Sequence, residues 1–438
     1  MNALSKRQFF TLSLTLFSLF FGAGNFIFPP VVGANSGENF FVGIMFFSLA
    51  AVALPVLGVA AVAKAGSLRE LASRVDSVTG LIFCTAAYVA LGPLLAIPRA
   101  GSMPFEIGLA PLLPAASDKQ SLLLIYCAAY FVFNAYACLN QSRLLNLIGR
   151  YLTPVLLALI VLLFFFGFSS THAHGLGSAK GGYATSAAAT GFVDGYQTMD
   201  ALAALIFASL IADVLRKMGV SKKGELASLS IRAGLFAGVV LAAVYVMLGL
   251  LGAMVRPSED LNPAALLSFI STSSFGFGGQ IVLGISFLLA CFGTTVGLTS
   301  AVSEFFKGLF PRLSYSMWVC VFSVLGAIMA SNGLDKILSI SVPILVALYP
   351  VATTLILLSL IDELIDASAL VYKFCVYVAG VIGLASGLRA AGVSLGVVDG
   401  WLDGLPFYES MLGWIVPVAV AFGASYVLHI ILAKNVRY

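Results

Sequence analysis

A chain of 438 residues that is 60% hydrophobic and only 10% charged, with a mean hydropathy of +1.04, is not composed like a soluble domain. Its net charge of +4 is too small and too scattered for a nucleic-acid face. The six cysteines (Cys84, Cys127, Cys138, Cys291, Cys320 and Cys375) all fall in apolar stretches without metal or disulfide spacing. About twelve apolar segments of spanning length use nearly the whole chain, which predicts an all-α polytopic membrane protein whose surroundings are lipid bilayer.

The expected spans are 9–34, 40–64, 78–99, 121–140, 144–168, 190–215, 227–255, 280–308, 313–331, 336–361, 370–390 and 411–433. The first begins after Lys6 and Arg7, a start that imitates a signal peptide, but no small-x-small cleavage site follows and the segment is expected to stay. Within it, Phe21-Gly22-Ala23-Gly24-Asn25-Phe26 is followed at once by Ile27-Phe28-Pro29-Pro30. Each glycine costs about 1 kcal/mol relative to alanine in a helix, and prolines remove backbone donors. Freed backbone groups at membrane depth are tolerated only where they face protein or a wet cavity, so a discontinuous helix with a buried polar site is expected here. A glycine kink that merely lets helices pack is the competing reading.

Basic residues set the orientation. Lys6, Arg7, Lys64, Arg69, Arg74, Arg216, Lys217, Lys307, Arg312 and most of the others among the 23 Lys and Arg fall on one side of the drawn spans. The positive-inside rule then puts both termini in the cytoplasm. Three connections are not simple turns. Residues 98–114, rich in Pro and Gly, are expected to be irregular at the outer face, with Arg99 paired to Glu106. Residues 169–190 read as a long Gly, Ser and Ala-rich outer loop, where His172 and His174 lack further metal ligands. Residues 262–270 are too short to span and suit a partial helix that closes over a site.

The sixth span is also interrupted, at Gly195-Tyr196-Gln197-Thr198-Met199-Asp200-Ala201. A carboxylate at membrane depth costs roughly 2.5 to 3.5 kcal/mol on insertion scales, so Asp200 needs a partner unless this is only the outer end of the helix. Interruptions five spans apart predict two inverted five-helix repeats, 9–168 and 190–361, with two additional helices at 370–433. Such repeats bring paired broken helices together near the midplane, where half-helix ends bind anions and unwound carbonyls bind cations.

A small zwitterion suits that site. Gly22, Ala23 and Gly24 leave bare backbone for a carboxylate, and Asn25 offers an amide oxygen to a cation. In the eighth span, Thr294 and Thr295 lie between Gly293 and Gly297 and can supply hard oxygen ligands to sodium, completed by carbonyls near Ser18 and Phe21. Membrane threonines also commonly bond back to their own helix. No intramembrane His or Glu chain suggests a proton relay, although Asp200 and Glu304 keep protons open as the coupling ion. No nucleophile–base pair, phosphate loop or zinc motif points to an enzyme, and no resident cofactor or obligate protein partner is expected.

The stretch Gly22-Ala23-Gly24-Asn25-Phe26-Ile27-Phe28-Pro29-Pro30, Gly37-Glu38, Leu54-Pro55, Gly92-Pro93-Leu94, Pro98-Arg99 and Gly195-Tyr196-Gln197-Thr198-Met199-Asp200-Ala201-Leu202 together resemble the bacterial branched-chain amino acid carriers, the BrnQ family of sodium-coupled leucine, isoleucine and valine uptake systems. More distantly, Gly22-x-Gly24-Asn25-Phe26 resembles the unwound first helix of the neurotransmitter-sodium symporters, whose LeuT-like fold has two inverted five-helix repeats plus two helices. The resemblance implies a symporter of the bacterial inner membrane working by alternating access. It assigns the substrate carboxylate to the backbone around Ala23 and Gly24, with a hydroxyl from Tyr88 nearby and Tyr196, Thr198, Met199 and Asp200 opposite. It assigns one sodium ion to Ser18, Phe21, Thr294 and Thr295, and a second to the Phe20 carbonyl and Asn25. A proton-coupled permease, an amino acid exchanger, a non-transporting membrane sensor and a channel are the remaining alternatives, the channel fitting poorly because no ring of like charges accompanies the two broken helices.

Overall fold

A computed structural model describes residues 4–114, 116–139, 147–170, 176–254, 261–366 and 368–435. Arg143, Arg256, His172 and His174 lie outside the described residues. No strand occurs among those described. Helix α1 (Lys6–Phe20) opens with Ser5 and Gln8 capping each other, and it ends at Phe21 and Gly22. The chain resumes as α2 (Ala23–Ser36), which runs straight through Pro29 and Pro30. The break is therefore shorter than the composition suggested. Gly22 makes it, with extended backbone at φ −107° and ψ −160°, and the prolines only leave the carbonyls of Asn25 and Phe26 without helical donors.

Gly37, at φ 48°, reverses the chain into α3 (Phe40–Ser48) and α4 (Leu54–Ala65), which a π turn joins into the second span. The short α5 (Leu68–Ala72) leads to α6 (Ser77–Val89). Asp76 caps α6 by accepting from the N–H groups of Thr79 and Val78, and it accepts from the Tyr377 hydroxyl at 2.7 Å. These bonds, the Thr79 N–H foremost, hold the carboxyl well below the usual carboxylate range.

The third span then bends at Gly92, where ψ is −115°, and continues as α7 (Ala96–Met103) and a buried turn, Pro104–Leu109. Residues 98–114 are thus mostly helical rather than irregular. Arg99 and Glu106 do not pair: Arg99 donates to the carbonyls of Gln197 and Thr198, while Glu106 accepts from the Leu334 N–H at 2.8 Å. The Pro104–Leu109 turn is covered by α13 (Pro263–Leu309), whose Gln280 side chain donates to the Ile107 carbonyl.

The remaining helices are α8 (Lys119–Leu139), α9 (Thr153–Ser170), α10 (Gly182–Tyr196), α11 (Asp200–Lys217), α12 (Lys223–Met254), α13 (Pro263–Leu309), α14 (Tyr315–Ala330), α15 (Leu334–Leu360), α16 (Ala369–Ala390), α17 (Val397–Asp403) and α18 (Ile415–Asn435). Nine helices are long and apolar enough to cross a bilayer among the described residues, or ten when the bent pair α10 and α11 is one span. With α1 and α2 taken as one broken span and the shorter α14 added, every expected span has a helical counterpart. The start of α13 behaves as anticipated: Gly276, at φ 58°, kinks it and sets off a short apolar segment, Pro263–Ser273. Leu267 and Ile270 of that segment pack with Phe26 and Pro30 of α2, covering the end away from Lys6. The loop before α10 adds to this cover, since Glu38 N–H bonds to the Gly177 carbonyl and Lys180 N–H to the Asn35 carbonyl, each at 2.8 Å.

Helices α2 and α12 cross at backbone distance. A Cβ on Gly33 would stand 1.9 Å from the Gly249 carbonyl oxygen, and one on Gly252 would stand 2.0 Å from that of Pro30. Small residues allow such contact where lipid provides no hydrophobic drive for helices to associate. Gly33→Ala is expected to destabilise the protein by about 1–3 kcal/mol through overpacking, read as a lower melting temperature in detergent. Gly423→Ala, at an exposed position with open space around it, is expected to leave melting unchanged.

Candidate functional site

The two interruptions meet. Asn25, in the first turn of α2, accepts from the Gly22 N–H with its amide oxygen at 3.1 Å. Its amide nitrogen donates to the Asp200 carboxylate and the Tyr245 hydroxyl. Tyr245, on α12, in turn donates to Asp200 at 3.0 Å. All three side chains are buried. One asparagine thus caps the break in the first span and joins it to the start of α11, where Asp200 has the partners that a buried carboxylate needs.

The break in the sixth span is the segment 197–199, across which α10 and α11 are bent by 42°. Met199 has left-handed backbone at φ 68°, an uncommon conformation for a residue with a side chain. The Thr198 hydroxyl donates back to the Gly195 carbonyl at 2.8 Å and accepts weakly from the Asp200 N–H at 3.4 Å. The carbonyls released by the break face a guanidinium: Arg99 Nη1 donates to Gln197 at 2.9 Å and Nη2 to Thr198 at 3.5 Å. Tyr196 ends α10 with its ring on that of Tyr349, centroids 4.1 Å apart.

Helix α13 closes the other side of the first break with its smallest residues. A Cβ on Gly293 would meet the Ser18 hydroxyl at 2.4 Å, and one on Gly297 would meet Leu19 at 2.2 Å. This approach brings Thr294 onto the break: its hydroxyl lies 3.3 Å from the Ser18 carbonyl oxygen and 3.4 Å from that of Ala290, two long contacts. Phe21, buried between Phe17 and Phe26, leaves helical geometry at ψ 83°. The Thr295 hydroxyl is more firmly engaged, at 2.7 Å from the Cys291 carbonyl and 2.9 Å from the Tyr130 hydroxyl on α8. The Phe20 carbonyl accepts from the Gly22 N–H at 2.8 Å.

Of the residues picked from the sequence, Ser18, Phe20, Phe21, Gly22, Ala23, Gly24, Asn25, Thr198, Met199, Asp200 and Thr294 gather at the two breaks. Tyr88 does not. It stacks on Phe305, centroids 4.1 Å apart, and Phe305 is roughly 16 Å along α13 from Thr294 at 1.5 Å per residue. The reason is the bend at Gly92: α7, beyond the bend, is the part of the third span that meets α2.

Tyr88 instead lines a cavity of about 780 Å³ with Thr11, Thr15, Arg69, Asp213 and Glu304. This vestibule opens on the side of the N-terminus and reaches up beside α1 toward Ser18. Arg99 and Tyr245 were missed from the sequence. A lone arginine following a proline in an apolar run, and a single hydroxyl in 244–246, were the available signals.

Residues 5–432 match the family model described as "Branched-chain amino acid transport protein". The chain is 36% identical to the branched-chain amino acid permease BraB of Bacillus subtilis, over 99% of this chain and 98% of that one. It is 37% identical to the branched-chain amino acid transport system 2 carrier protein of Pseudomonas aeruginosa, over 99% of each. Such names describe transporters and not enzymes.

Among solved structures, the nucleobase-cation-symport-1 family transporter Mhp1 with bromovinylhydantoin bound has a TM-score of 0.61 at 15% identity, covering 98% of this chain and 93% of its own. MhsT in complex with L-phenylalanine has a TM-score of 0.57 at 16% identity, covering 95% and 97%. The fold is therefore that of the LeuT-like transporters, two inverted five-helix repeats with two further helices and discontinuous first and sixth spans. A multi-pass bacterial permease architecture, matched from end to end, makes this chain a member of the branched-chain amino acid transport protein family.

Proposed function

We propose that the protein imports leucine, isoleucine and valine together with sodium across the bacterial inner membrane, with both termini in the cytoplasm. The observation that carries the proposal is the seating of Thr294 over the Ser18 carbonyl at the first break. The long contacts of its hydroxyl leave it ready to turn its oxygen toward a cation, next to α2 amides that suit a carboxylate. The names of the relatives supply the substrate class. Thr295 joins the sodium site in this reading only by loosening its bond to Tyr130, so Thr294 has the larger share.

Coupling follows from position. Cation and substrate occupy adjacent parts of one site, so each raises the affinity for the other by the same factor. One charge crossing 100 mV contributes about 2.3 kcal/mol, and the sodium gradient adds to this. The vestibule beside α1 is the inward path, and the cover formed by 176–181 and Pro263–Ser273 is the closed outer gate. Alternating access is then a rocking of the helices around the breaks that opens one path as it shuts the other.

Uptake of labelled isoleucine into proteoliposomes is expected under an inward sodium gradient and not with equal potassium. Accumulation driven by an imposed proton gradient alone would contradict sodium coupling and shift attention to Asp200. Thr294→Ala is expected to raise the sodium concentration for half-maximal uptake about tenfold, the loss of one hard oxygen ligand being about 1.4 kcal/mol. Asn25→Ala is expected to abolish uptake, because it uncaps α2 and leaves Asp200 and Tyr245 without their amide partner.

A further inference from the structure

Arg99 is 3% exposed and makes no ion pair with a carboxylate among the described residues. Its partners are two carbonyls, one of them at 3.5 Å, and the ring of Phe28, whose centroid is 5.9 Å from the guanidinium carbon. Asp200 is already held by Asn25 and Tyr245. A cation at membrane depth is costly unless paired, and dipoles alone compensate it only in part. The guanidinium lies on the first turn of α2: a Cβ on Gly24 would stand 2.6 Å from Arg99 Nη2. That turn also presents the amides of Ala23, Gly24 and Asn25, none of which is capped by the side-chain-free Gly22.

We infer that Arg99 receives the carboxylate of the substrate, and that it sets the requirement for a free carboxylate. A guanidinium has five N–H donors in a planar fork, so the two bonds to Gln197 and Thr198 leave donors for a bidentate hold on an anion. Arg99 thereby ties the two broken helices to one end of the ligand. Its bonds to the carbonyls of the sixth-span break fix the polarity of the pocket, with the anion-receiving end at Gly24 and the ammonium toward the Asp200 side. The aliphatic side chain of the substrate takes no part in this contact. The inference rests on the reading of the protein as an amino acid carrier.

Competition separates this role from a structural one. Leucine and leucinamide share the ammonium and the side chain, and differ in the carboxylate. Binding to purified protein is measured by the shift in melting temperature with ligand concentration. Wild type is expected to prefer leucine by about a hundredfold or more, the scale of a desolvated charge-assisted pair. In R99Q that preference is expected to shrink to within about threefold, through weaker leucine binding with leucinamide little changed. R99K, which keeps the charge without the fork, is expected to fall between and provides the same comparison if R99Q does not fold.

A preference for leucine that stays at its wild-type size in R99Q, or in R99K where only that variant folds, overturns the inference, since a residue that merely holds the break would weaken both ligands together. A wild-type protein that binds neither compound overturns the carrier reading and the inference with it, a result distinct from discrimination that persists without Arg99.

Discussion

A polypeptide at membrane depth must satisfy every backbone donor and acceptor without water. Two helices interrupted at the same depth are tolerable only if each supplies what the other lacks. Here Asn25 caps the first break and binds the carboxylate that opens α11, while Arg99 takes the carbonyls released by the sixth-span break. The polar cluster is therefore a condition of the fold as well as the proposed functional centre. Removing one member leaves buried groups unpaired, at about 1–3 kcal/mol each.

The surrounding architecture serves this cluster. Glycines on α13 bring it against α1, and glycines on α12 bring that helix against α2, so the breaks are walled by backbone and small side chains. Tyr245 reaches Asp200 because α12 lies so close to α2. The side away from the N-terminus is covered by a loop and a short apolar helix, whereas the side of the N-terminus is hollow and lined with charge. That asymmetry gives the inner path and outer gate of the proposed cycle a physical counterpart.

Much of this was legible in the sequence, for reasons that differ by residue. Two glycines around Ala23 in an apolar run cannot be a comfortable helix, and a carboxylate at position 200 demands a partner, so both breaks could be located. The extent of the first break was less legible, because prolines in α2 are tolerated once α12 and α13 pack over them. Tyr88 and Arg99 both stand elsewhere than expected, for a single reason. The bend at Gly92 redirects the third span, which swings Tyr88 into the vestibule wall and carries Arg99 from an apparent outer turn to the centre. Helical periodicity has no term for such a bend. Thr294 and Thr295 are adjacent and chemically alike, and only the angle of α13 against α1 tells which faces the break.

The most direct test of the central claim, that substrate and coupling ion meet at the paired breaks, is calorimetric titration of isoleucine into the purified protein at a series of sodium concentrations, with potassium holding ionic strength constant. The account predicts that isoleucine affinity rises with sodium, and that sodium affinity rises by the same factor when isoleucine is saturating. Isoleucine binding that is indifferent to sodium throughout the series would contradict it.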